Sequence, residues 1–413
     1  MLWPRAMKGL WPRDCDRRQK GIMDKILVVT ERFWPEEFLV NDFVRALMER
    51  GHAVEVLTQV PSYPFDTIYD GYENNHLQTT YWEGVPIHRV NTWFGYNKST
   101  ARKILNYLHF AWRTFWWAVL RGRRYDRVIV VHTAALTMAS PVYAMKLLWR
   151  RHIVIWTQDL WPDAVWGYGI RKTAMRELVL NCYVRSIYVC CDRIAVSCPS
   201  YVGRIREICG RTAEFIPQWE PDAASLQQAS HVDHLPSKRI FMFAGNLGVP
   251  QNVDNDIDGF LRANVPNAEL WILGGGVRYE ELKARYDSAT RRTGDAIVRF
   301  LGRKPRSEMP KWFANADAMV ISLTREYAAT LPGKFQCYIA AGKPLLGIIE
   351  GATAEFIREY GLGVVARPDD VDSIAEGFRE MCRMDLTPCG RNARALSEKM
   401  FNREIQIGRL LEK

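Results

Sequence analysis

The segment Lys25-Ile-Leu-Val-Val-Thr30 has the composition of a buried β-strand, because it contains an unbroken apolar run that is rich in β-branched residues. It is followed by Leu39–Glu49, whose length and apolar spacing predict a helix, and by a second strand pattern at Val54–Thr58. Strand, helix and strand in this order predict a βαβ unit, in which parallel strands form a sheet covered by helices.

The same alternation continues along the 413 residues of the chain. Strand patterns recur at Val128–Val131, Ile153–Trp156, Arg193–Ser197, Ile240–Ala244, Glu269–Leu273, Val298–Leu301, Ala318–Ser322, Pro344–Ile348 and Gly363–Ala366, and Leu136–Trp149 predicts a further helix. We therefore predict an α/β protein with two doubly wound, Rossmann-like domains that face each other across a cleft. In such folds the ligand binds outside the carboxyl ends of the strands.

The domain boundaries follow from a polar segment between the two series of strands. Residues 219–238 are polar, have a proline near each end (Pro221 and Pro236) and show no sustained periodicity, which is typical of a linker. The prediction is a basic extension over 1–22, a first Rossmann-like domain over 23–218, the linker over 219–238, a second Rossmann-like domain over 239–395 and a C-terminal helix within 396–413.

Composition limits the kind of partner. The formal net charge of +10 favours anionic ligands or surfaces, and the nine cysteines show no CxxC spacing. The basic extension has no apolar stretch of the kind that a secretory signal needs. These features predict a cytoplasmic protein without a disulfide framework or a structural zinc site.

Residues 101–124 combine aromatic and basic side chains. A helix with Trp112, Trp116 and Trp117 between basic ends suits the headgroup region of an anionic membrane, and the central Arg113 argues against a spanning helix. We predict that these four residues face the inner surface of the cytoplasmic membrane. The alternative is a helix that faces the protein core. No nucleic-acid-binding motif accompanies the charge, so nucleic acid is not predicted as a partner.

Two segments of the second half predict a phosphate site. Pro332 and Gly333 mark a helix start, and Lys334 then lies in the first turn, where a cation is unfavourable unless an anion sits on the helix end. Phe243-Ala-Gly-Asn-Leu-Gly-Val-Pro-Gln251 is a glycine-containing turn directly after a strand, which allows close approach of backbone to phosphate.

These and other motifs resemble the GT-B glycosyltransferases of family GT4, in particular the bacterial polysaccharide group of WbuB and WcaI type. The matching motifs run in family order: Phe33-Trp-Pro-Glu-Glu37, Arg50-Gly-His52, Pro61-Ser-Tyr-Pro64, Asp70-Gly-Tyr72, Leu105-Asn-Tyr107, Gln158-Asp-Leu-Trp-Pro162, Gly245-Asn-Leu-Gly248 with Gln251, and Pro332-Gly-Lys334 through Gly342-Lys-Pro344.

The resemblance implies transfer of a hexosyl or N-acetylhexosaminyl group from a nucleotide sugar, with retention, to a glycan acceptor carried on polyprenyl diphosphate. Such acceptors serve capsule, O-antigen or exopolysaccharide synthesis. It implies that the first domain, 23–218, binds the acceptor and that the second, 239–395, binds the nucleotide sugar. It implies donor contacts from Asn246, Gln251, Lys334 and the backbone of Thr330 and Leu331. No cofactor is expected, since the nucleotide sugar is a substrate. The final helix is expected to pack back on the first domain.

The chain departs from the family pattern at two positions that often carry glutamates. They are Ala329 and Cys337 here, and Glu326 is out of register. Contacts to the ribose and to the sugar hydroxyls are therefore not carried over. Two other functions stay open: a non-hydrolysing nucleotide-sugar epimerase, and a non-catalytic subunit that binds sugar nucleotides.

Candidate catalytic residues follow the strands of the first half. His132 could bond a sugar hydroxyl, as a histidine near this point does in some family members. Asp159 could bind the acceptor hydroxyl or stabilise positive charge at the anomeric carbon. Glu36 and Glu37 are acceptor-side candidates. Each has a structural alternative: a locally bonded histidine, an Asx turn before Pro162, and exposed loop carboxylates.

Metal binding is not predicted. Asp254, Asp256 and Asp258 imitate half of a calcium loop, but the twelfth position is Val265, and acidic residues are common in the first turns of a helix.

Overall fold

The computed structural model describes residues 24–63, 66–93, 99–133, 135–167, 171–228, 238–287 and 297–412. The predicted basic extension, 1–22, and residues 229–237 of the predicted linker lie outside the described residues. The chain divides into two compact units. The first runs to Ser197 and takes in Tyr201–Phe215, and the second holds Cys198–Ser200 and the chain from Ile216 onward.

The first unit is built on an eight-stranded sheet with the order β3-β4-β2-β1-β5-β6-β7-β8. Its strands are β1 (Lys25–Val29), β2 (Ala53–Gln59), β3 (Leu77–Trp82), β4 (Val85–Val90), β5 (Arg127–His132), β6 (His152–Thr157), β7 (Arg193–Val196) and β8 (Glu214–Phe215). Every neighbouring pair is parallel except β3 and β4.

The β3–β4 hairpin corrects the expectation of a wholly parallel sheet. Glu83 and Gly84 join the two strands, and both have positive φ, as a two-residue hairpin turn requires. The outer strand alternates half-buried and exposed residues, so it lacks the continuous apolar run that identified the other strands. The sheet is therefore mixed at this edge.

Helices from the first half of the chain cover the sheet. They are α1 (Leu39–Glu49), α2 (Thr100–Arg121), α3 (Pro141–Leu147), α4 (Asp163–Gly167), α5 (Ala174–Val189) and α6 (Ser200–Cys209). The helix predicted over Leu136–Trp149 is a 3-10 turn, Leu136–Ala139, followed by α3, because Pro141 begins a new helix at its first position. Ser99 caps α2 by accepting the Arg102 amide hydrogen at 3.2 Å.

The second unit contains a six-stranded parallel sheet with the order β11-β10-β9-β12-β13-β14. Its elements in chain order are α7 (Ala223–Gln228), β9 (Arg239–Asn246), α8 (Val253–Ala263), β10 (Ala268–Gly275), α9 (Tyr279–Asp287), β11 (Ile297–Gly302), α10 (Met309–Asn315), β12 (Ala318–Ser322), α11 (Gly333–Ala340), β13 (Leu345–Ile348), α12 (Ala352–Glu359), β14 (Gly363–Ala366), α13 (Val371–Arg383), α14 (Thr387–Met400) and α15 (Arg403–Leu411).

Aromatic contacts organise the core of this unit. Phe378 meets the rings of Phe241 and Phe260 edge to face, with centroids 4.9 and 5.1 Å apart. Near the end of the chain, Phe401 packs edge to face on Phe335 and Phe356. The predicted packing of the final helix on the first domain stays a prediction.

The carboxyl ends of β9 and β10 come unusually close together. Gly274 has a φ of +143°, and a Cβ at this position would lie 1.9 Å from the carbonyl oxygen of Gly245. Gly245, with a φ of +146°, would in turn place a Cβ 2.3 Å from Cε of Lys334. Only glycine fits these two positions. Without side chains, the backbone at Gly245 and Gly274 is left open to contact by a ligand.

Gly274→Ala should destabilise the protein by about 2 kcal/mol or more, because the methyl group meets rigid backbone rather than a side chain that can move away. Chemical denaturation of the purified variant measures this change. Gly408→Ala in α15 is the matched control, since a Cβ there meets nothing within 4 Å. It should leave stability unchanged or raise it by up to about 1 kcal/mol. Equal stability of the two variants would contradict the close approach.

Candidate functional site

A pocket of about 880 Å³ opens at the carboxyl edge of the second sheet, the size of a site for a small organic ligand. Backbone from the ends of β9 and β10 forms one side of it, and the start of α11 forms another. Its lining consists of Glu220, Asp222, Ser225, Leu226, Ala244, Gly245, Asn246, Leu273, Gly274, Gly275, Arg303, Lys304, Arg306, Ser307, Met309, Pro310, Phe313, Gly333, Lys334, Cys337 and Tyr338.

Lys334 lies in this lining, at the second residue of α11. The predicted helix start is confirmed, since α11 begins at Gly333 with Pro332 as its N-cap. The ammonium Nζ is buried and has no hydrogen-bond partner among the residues that the structure describes. It lies 3.6 Å from the ring centroid of Phe243, a cation–π contact.

Burial lowers the pKa of Lys334 to about 7, and the carboxylate of Asp256 partly opposes that shift. Asp256 is itself completely buried on α8. Burial raises the pKa of Asp256 well above its ordinary value, and Ser322 and Lys334 act in the opposite direction. The protein thus places little negative charge beside the amine of Lys334. A bound anion would supply that charge and stabilise the protonated amine.

The other predicted donor contacts divide into two groups. Asn246 lines the pocket. Gln251 does not, and its Oε1 accepts the backbone N–H of Gly248 at 3.0 Å. Thr330 and Leu331 are also absent from the lining. The backbone N–H and the hydroxyl of Thr330 both donate to the carbonyl of Tyr327, so neither of these donors is available to a diphosphate.

Arg306 of the pocket lining was not predicted, and neither were two further cations, Arg303 and Lys304. They follow β11 directly, at the carboxyl edge of the sheet, and this placement is the signal that could have identified them. A Cβ on Gly275 would collide with the side chain of Arg303, so that side chain lies against the end of β10. Nζ of Lys304 lies 5.1 Å from the ring centroid of Trp312, a cation–π contact.

In the first unit, candidate residues meet at the carboxyl ends of β1, β5 and β6. The strand order reverses between β1 and β5, which marks the point where ligands bind in doubly wound sheets. His132 ends β5 and is completely buried. Its carbonyl accepts the amide hydrogen of Gln158 at 2.8 Å, which fixes the segment that carries Asp159.

Glu31, two residues beyond β1, was missed by the sequence analysis. One of its oxygens accepts from Gln59 at 3.2 Å and pairs with Arg32, whereas Oε2 has no hydrogen-bond partner among the described residues. Burial raises the pKa of Asp159 to about 7, and the charge of Glu31 adds to this shift. Burial raises the pKa of Glu31 as well. The two carboxyl groups are therefore electrostatically coupled.

Glu36 and Glu37 differ in their surroundings. The carboxylate of Glu36 is buried, and its Oε1 accepts the backbone N–H groups of Ser62 and Tyr63 at 2.9 and 2.7 Å and pairs with Arg32 at 3.3 Å. These contacts hold the loop after β2 and give Glu36 a structural role. Glu37 is exposed.

The burial of side chains on α2 contradicts part of the prediction about which residues face a membrane. Trp112 and Trp116 are 63% and 44% exposed, but Trp117 is only 4% exposed. Trp117 lies about 100° further round the helix than Trp116, and its ring packs on that of His88 with the centroids 5.0 Å apart. Its assignment to the membrane face is therefore wrong. Arg113 is half-buried and donates to the carbonyl of His76 at 2.8 Å. Among the described helices, none has the length and apolar character needed to cross a membrane.

Comparison with known families identifies the chain. Residues 39–218 match the model of the glycosyl transferase 4-like domain, and residues 238–383 match that of the glycosyl transferases group 1.

The chain belongs to the GT4-type glycosyltransferases.

Two curated relatives of this glycosyltransferase cover most of its length. "Probable glycosyltransferase WbjE" of Pseudomonas aeruginosa is 25% identical over 304 residues, which are 70% of this chain and 74% of the relative. "Putative colanic acid biosynthesis glycosyl transferase WcaI" of Escherichia coli K12 is 24% identical over 405 residues, 92% of this chain and 97% of the relative.

Solved structures show that the fold is GT-B. WaaG, a glycosyltransferase involved in lipopolysaccharide biosynthesis, has a TM-score of 0.59 at 15% identity, with 94% of this chain and 100% of WaaG covered. Anabaena HepE in complex with UDP and glucose has a TM-score of 0.61 at 13% identity, with 94% and 98% covered.

Binding of a nucleoside diphosphate to this glycosyltransferase should take up a proton near pH 8. With a pKa of about 7, most Lys334 side chains are neutral at that pH, and a diphosphate beside the amine would restore its charge. Calorimetric titration of UDP or GDP in two buffers of different ionisation enthalpy measures the uptake. Lys334→Met should abolish it and weaken binding roughly 10- to 100-fold.

Lys343→Met is the matched control. Burial also lowers the pKa of Lys343, to about 8, but its Nζ donates to the carbonyls of Ala314 and Ala316, outside the pocket. Proton uptake should persist in this variant. Uptake that survives in Lys334→Met, or binding by the wild type without any uptake, would contradict the assignment of Lys334.

Proposed function

We propose that this glycosyltransferase moves a hexosyl or N-acetylhexosaminyl group from a nucleotide sugar to a glycan on polyprenyl diphosphate, with retention and without a metal ion. The step belongs to the synthesis of a bacterial surface polysaccharide such as capsule, O-antigen or exopolysaccharide. It takes place at the inner face of the cytoplasmic membrane.

The observation that carries this proposal is the buried Nζ of Lys334, which faces no hydrogen-bond acceptor among the described residues and lies at the start of α11 in the pocket lining. The free N–H groups of the helix start add positive potential at the same place. Departure of a nucleoside diphosphate concentrates negative charge on its terminal phosphate. Lys334 and the start of α11 would stabilise that charge, which accelerates cleavage of the bond to the sugar.

The first unit would supply a carboxylate, that of Asp159, and an imidazole, that of His132, to the reaction. As the diphosphate leaves, positive charge develops at the anomeric carbon, and the ionised form of Asp159 would stabilise it or orient the acceptor hydroxyl. His132 would contact a sugar hydroxyl. The acceptor hydroxyl attacks on the face from which the diphosphate leaves, and an oxygen of the leaving phosphate takes its proton.

The names of the relatives support a surface polysaccharide as the product. WcaI is named for colanic acid biosynthesis, and the structural neighbour WaaG acts in lipopolysaccharide biosynthesis. The proposed acceptor is carried on a lipid, so the enzyme would meet it at a membrane surface.

Helix α2 has a face that suits such a surface. Exposed apolar side chains recur at every fourth residue over about 24 Å of the helix. They are Ile104, Leu108, Trp112, Trp116 and Leu120. Arg102 lies at one end of this face, and Arg121 and Arg123 lie at the other, all exposed. Arg124, also exposed, is paired with Glu55. Cations around an apolar face that carries two tryptophans are typical of peripheral binding to anionic lipid.

The function is tested by incubating the full chain with UDP- and GDP-sugars and a polyprenyl-diphosphate-linked saccharide extract, with the product identified by mass and anomeric configuration. Transfer should occur in the presence of EDTA. The rate should rise with pH through about 7, because Asp159 must lose its proton to act as a carboxylate. Asp159→Asn should lower the rate roughly 100-fold or more and remove that rise.

Glu73→Gln, at an exposed loop position outside the family motifs, is the control and should keep both the rate and the pH profile. Conversion of a soluble nucleotide sugar into its epimer without acceptor would replace the proposal with an epimerase. Binding of nucleotide sugar without any reaction would indicate a non-catalytic subunit.

Membrane binding is tested by sedimentation with phosphatidylglycerol-rich vesicles. The double variant Trp112→Ser and Trp116→Ser should bind at least roughly tenfold more weakly than the wild type, because the two rings supply much of the exposed apolar area of the face. Val277→Ser, which removes a 90% exposed apolar side chain in the second unit, should bind as the wild type does. If all three proteins sedimented equally with the vesicles, or if the wild type did not sediment with them, this face of α2 would not be a membrane-binding surface.

A further inference from the structure

The pocket of the second unit has a cationic part and an acidic part. Lys334, Arg303, Lys304 and Arg306 supply the positive charge, and Glu220 and Asp222 supply carboxylates to the same lining. A ligand that fills this pocket therefore carries both an anionic group and groups that donate hydrogen bonds.

Glu220 is held firmly in the lining. It follows the buried Trp219, and its own side chain is only 10% exposed. Its Oε1 accepts from Nη2 of Arg306 at 2.7 Å and from the backbone N–H of Asp222 at 3.1 Å. Nε of Arg306 also donates to Oδ2 of Asp222 at 2.7 Å, so one guanidinium fixes both carboxylates.

Among the described residues, both nitrogen donors to the Glu220 side chain bond to Oε1. The thiol of Cys337, on α11, lies beside this carboxylate and hydrogen-bonds to it. An ionised carboxylate has about four acceptor sites, so Glu220 keeps the capacity to accept from a ligand. Burial and then the adjacent Glu220 raise the pKa of the Cys337 thiol well above its ordinary value, so the thiol carries no charge at neutral pH. The acceptor at this position is therefore the carboxylate of Glu220.

We propose that Glu220 accepts hydrogen bonds from the ribose hydroxyls of the donor nucleotide while its diphosphate lies at Lys334. The inference rests on the proposed use of a nucleotide sugar. A carboxylate that accepts from ribose hydroxyls is a common device in nucleotide-binding α/β folds, because an ionised carboxylate has only acceptors and the diol offers donors. Arg306 is the positioning residue that holds Glu220 in place.

The test compares a ribonucleoside diphosphate with its 2′,3′-dideoxy analogue by calorimetric titration of the full chain. UDP, GDP, ADP and CDP are screened first, and the tightest is used with its analogue. The wild type should bind the analogue roughly 10- to 100-fold more weakly than the parent. Glu220→Gln should lose a similar factor for the parent nucleotide and almost nothing for the analogue, so its preference for the hydroxyls disappears.

Glu280→Gln is the matched control, since Glu280 is an exposed carboxylate on α9 and does not line the pocket. It should keep the wild-type preference for the parent over the analogue. Glu220→Asp serves as a second variant should Glu220→Gln fail to fold, and circular dichroism checks the folding of each protein.

Three outcomes would overturn the inference. A wild type that binds the parent and the analogue equally has no ribose recognition. A Glu220→Gln variant that weakens both ligands by the same factor shows that Glu220 only holds Arg306. Failure of the wild type to bind any nucleoside diphosphate would instead remove the proposed function itself, together with the inference.

Discussion

The contact between Nζ of Lys334 and the ring of Phe243 is the interaction on which the candidate site of the second unit depends. A lysine that is buried without a hydrogen-bond partner among the described residues costs folding free energy, and the cation–π contact offsets part of that cost. Gly245 has no side chain that would fill the space beside Lys334, and Gly274 allows β10 to approach β9. A bound diphosphate would give the amine of Lys334 a hydrogen-bond acceptor and an opposite charge. Ligand binding would therefore stabilise the folded state and offset the free energy that burial of the lysine costs.

In the first unit, burial shifts the pKa values of two carboxyl groups upward rather than downward. At the carboxyl ends of its central strands, burial acts on carboxyl groups, those of Glu31 and Asp159, and raises the pKa of each. One unit therefore presents a cation with little compensation and the other a pair of coupled acids. The two charges that develop when a glycosyl bond breaks have opposite signs, and the chain carries a group suited to each of them.

The sequence was sufficient for the fold class, for most strands and for the helix start at Pro332 and Gly333, because these depend on local periodicity and local turn chemistry. It was insufficient wherever the outcome depended on tertiary packing. The hairpin strand Leu77–Trp82 has no continuous apolar run, and the side of α2 that becomes buried is decided by His88, far away in the chain. Glu220 and Cys337 lie in separate segments whose meeting no local pattern records. Electrostatic coupling between Glu31 and Asp159 likewise exists only once β1 and β6 have been assembled into one sheet.

The raised pKa of Asp159 bears on how this protein would respond to selection for heat resistance. Its pKa of about 7 in the folded state lies above the value of roughly 3.9 for an aspartate in an unfolded chain. The folded state thus binds the proton more tightly, and stability is lost as the pH rises from about 4 to about 7 and stays lower above that range. An uncharged amide at the same position would escape the penalty. Screening libraries for thermal tolerance alone, at alkaline pH, would therefore favour variants that have lost the acid, so such a campaign needs a turnover assay beside it.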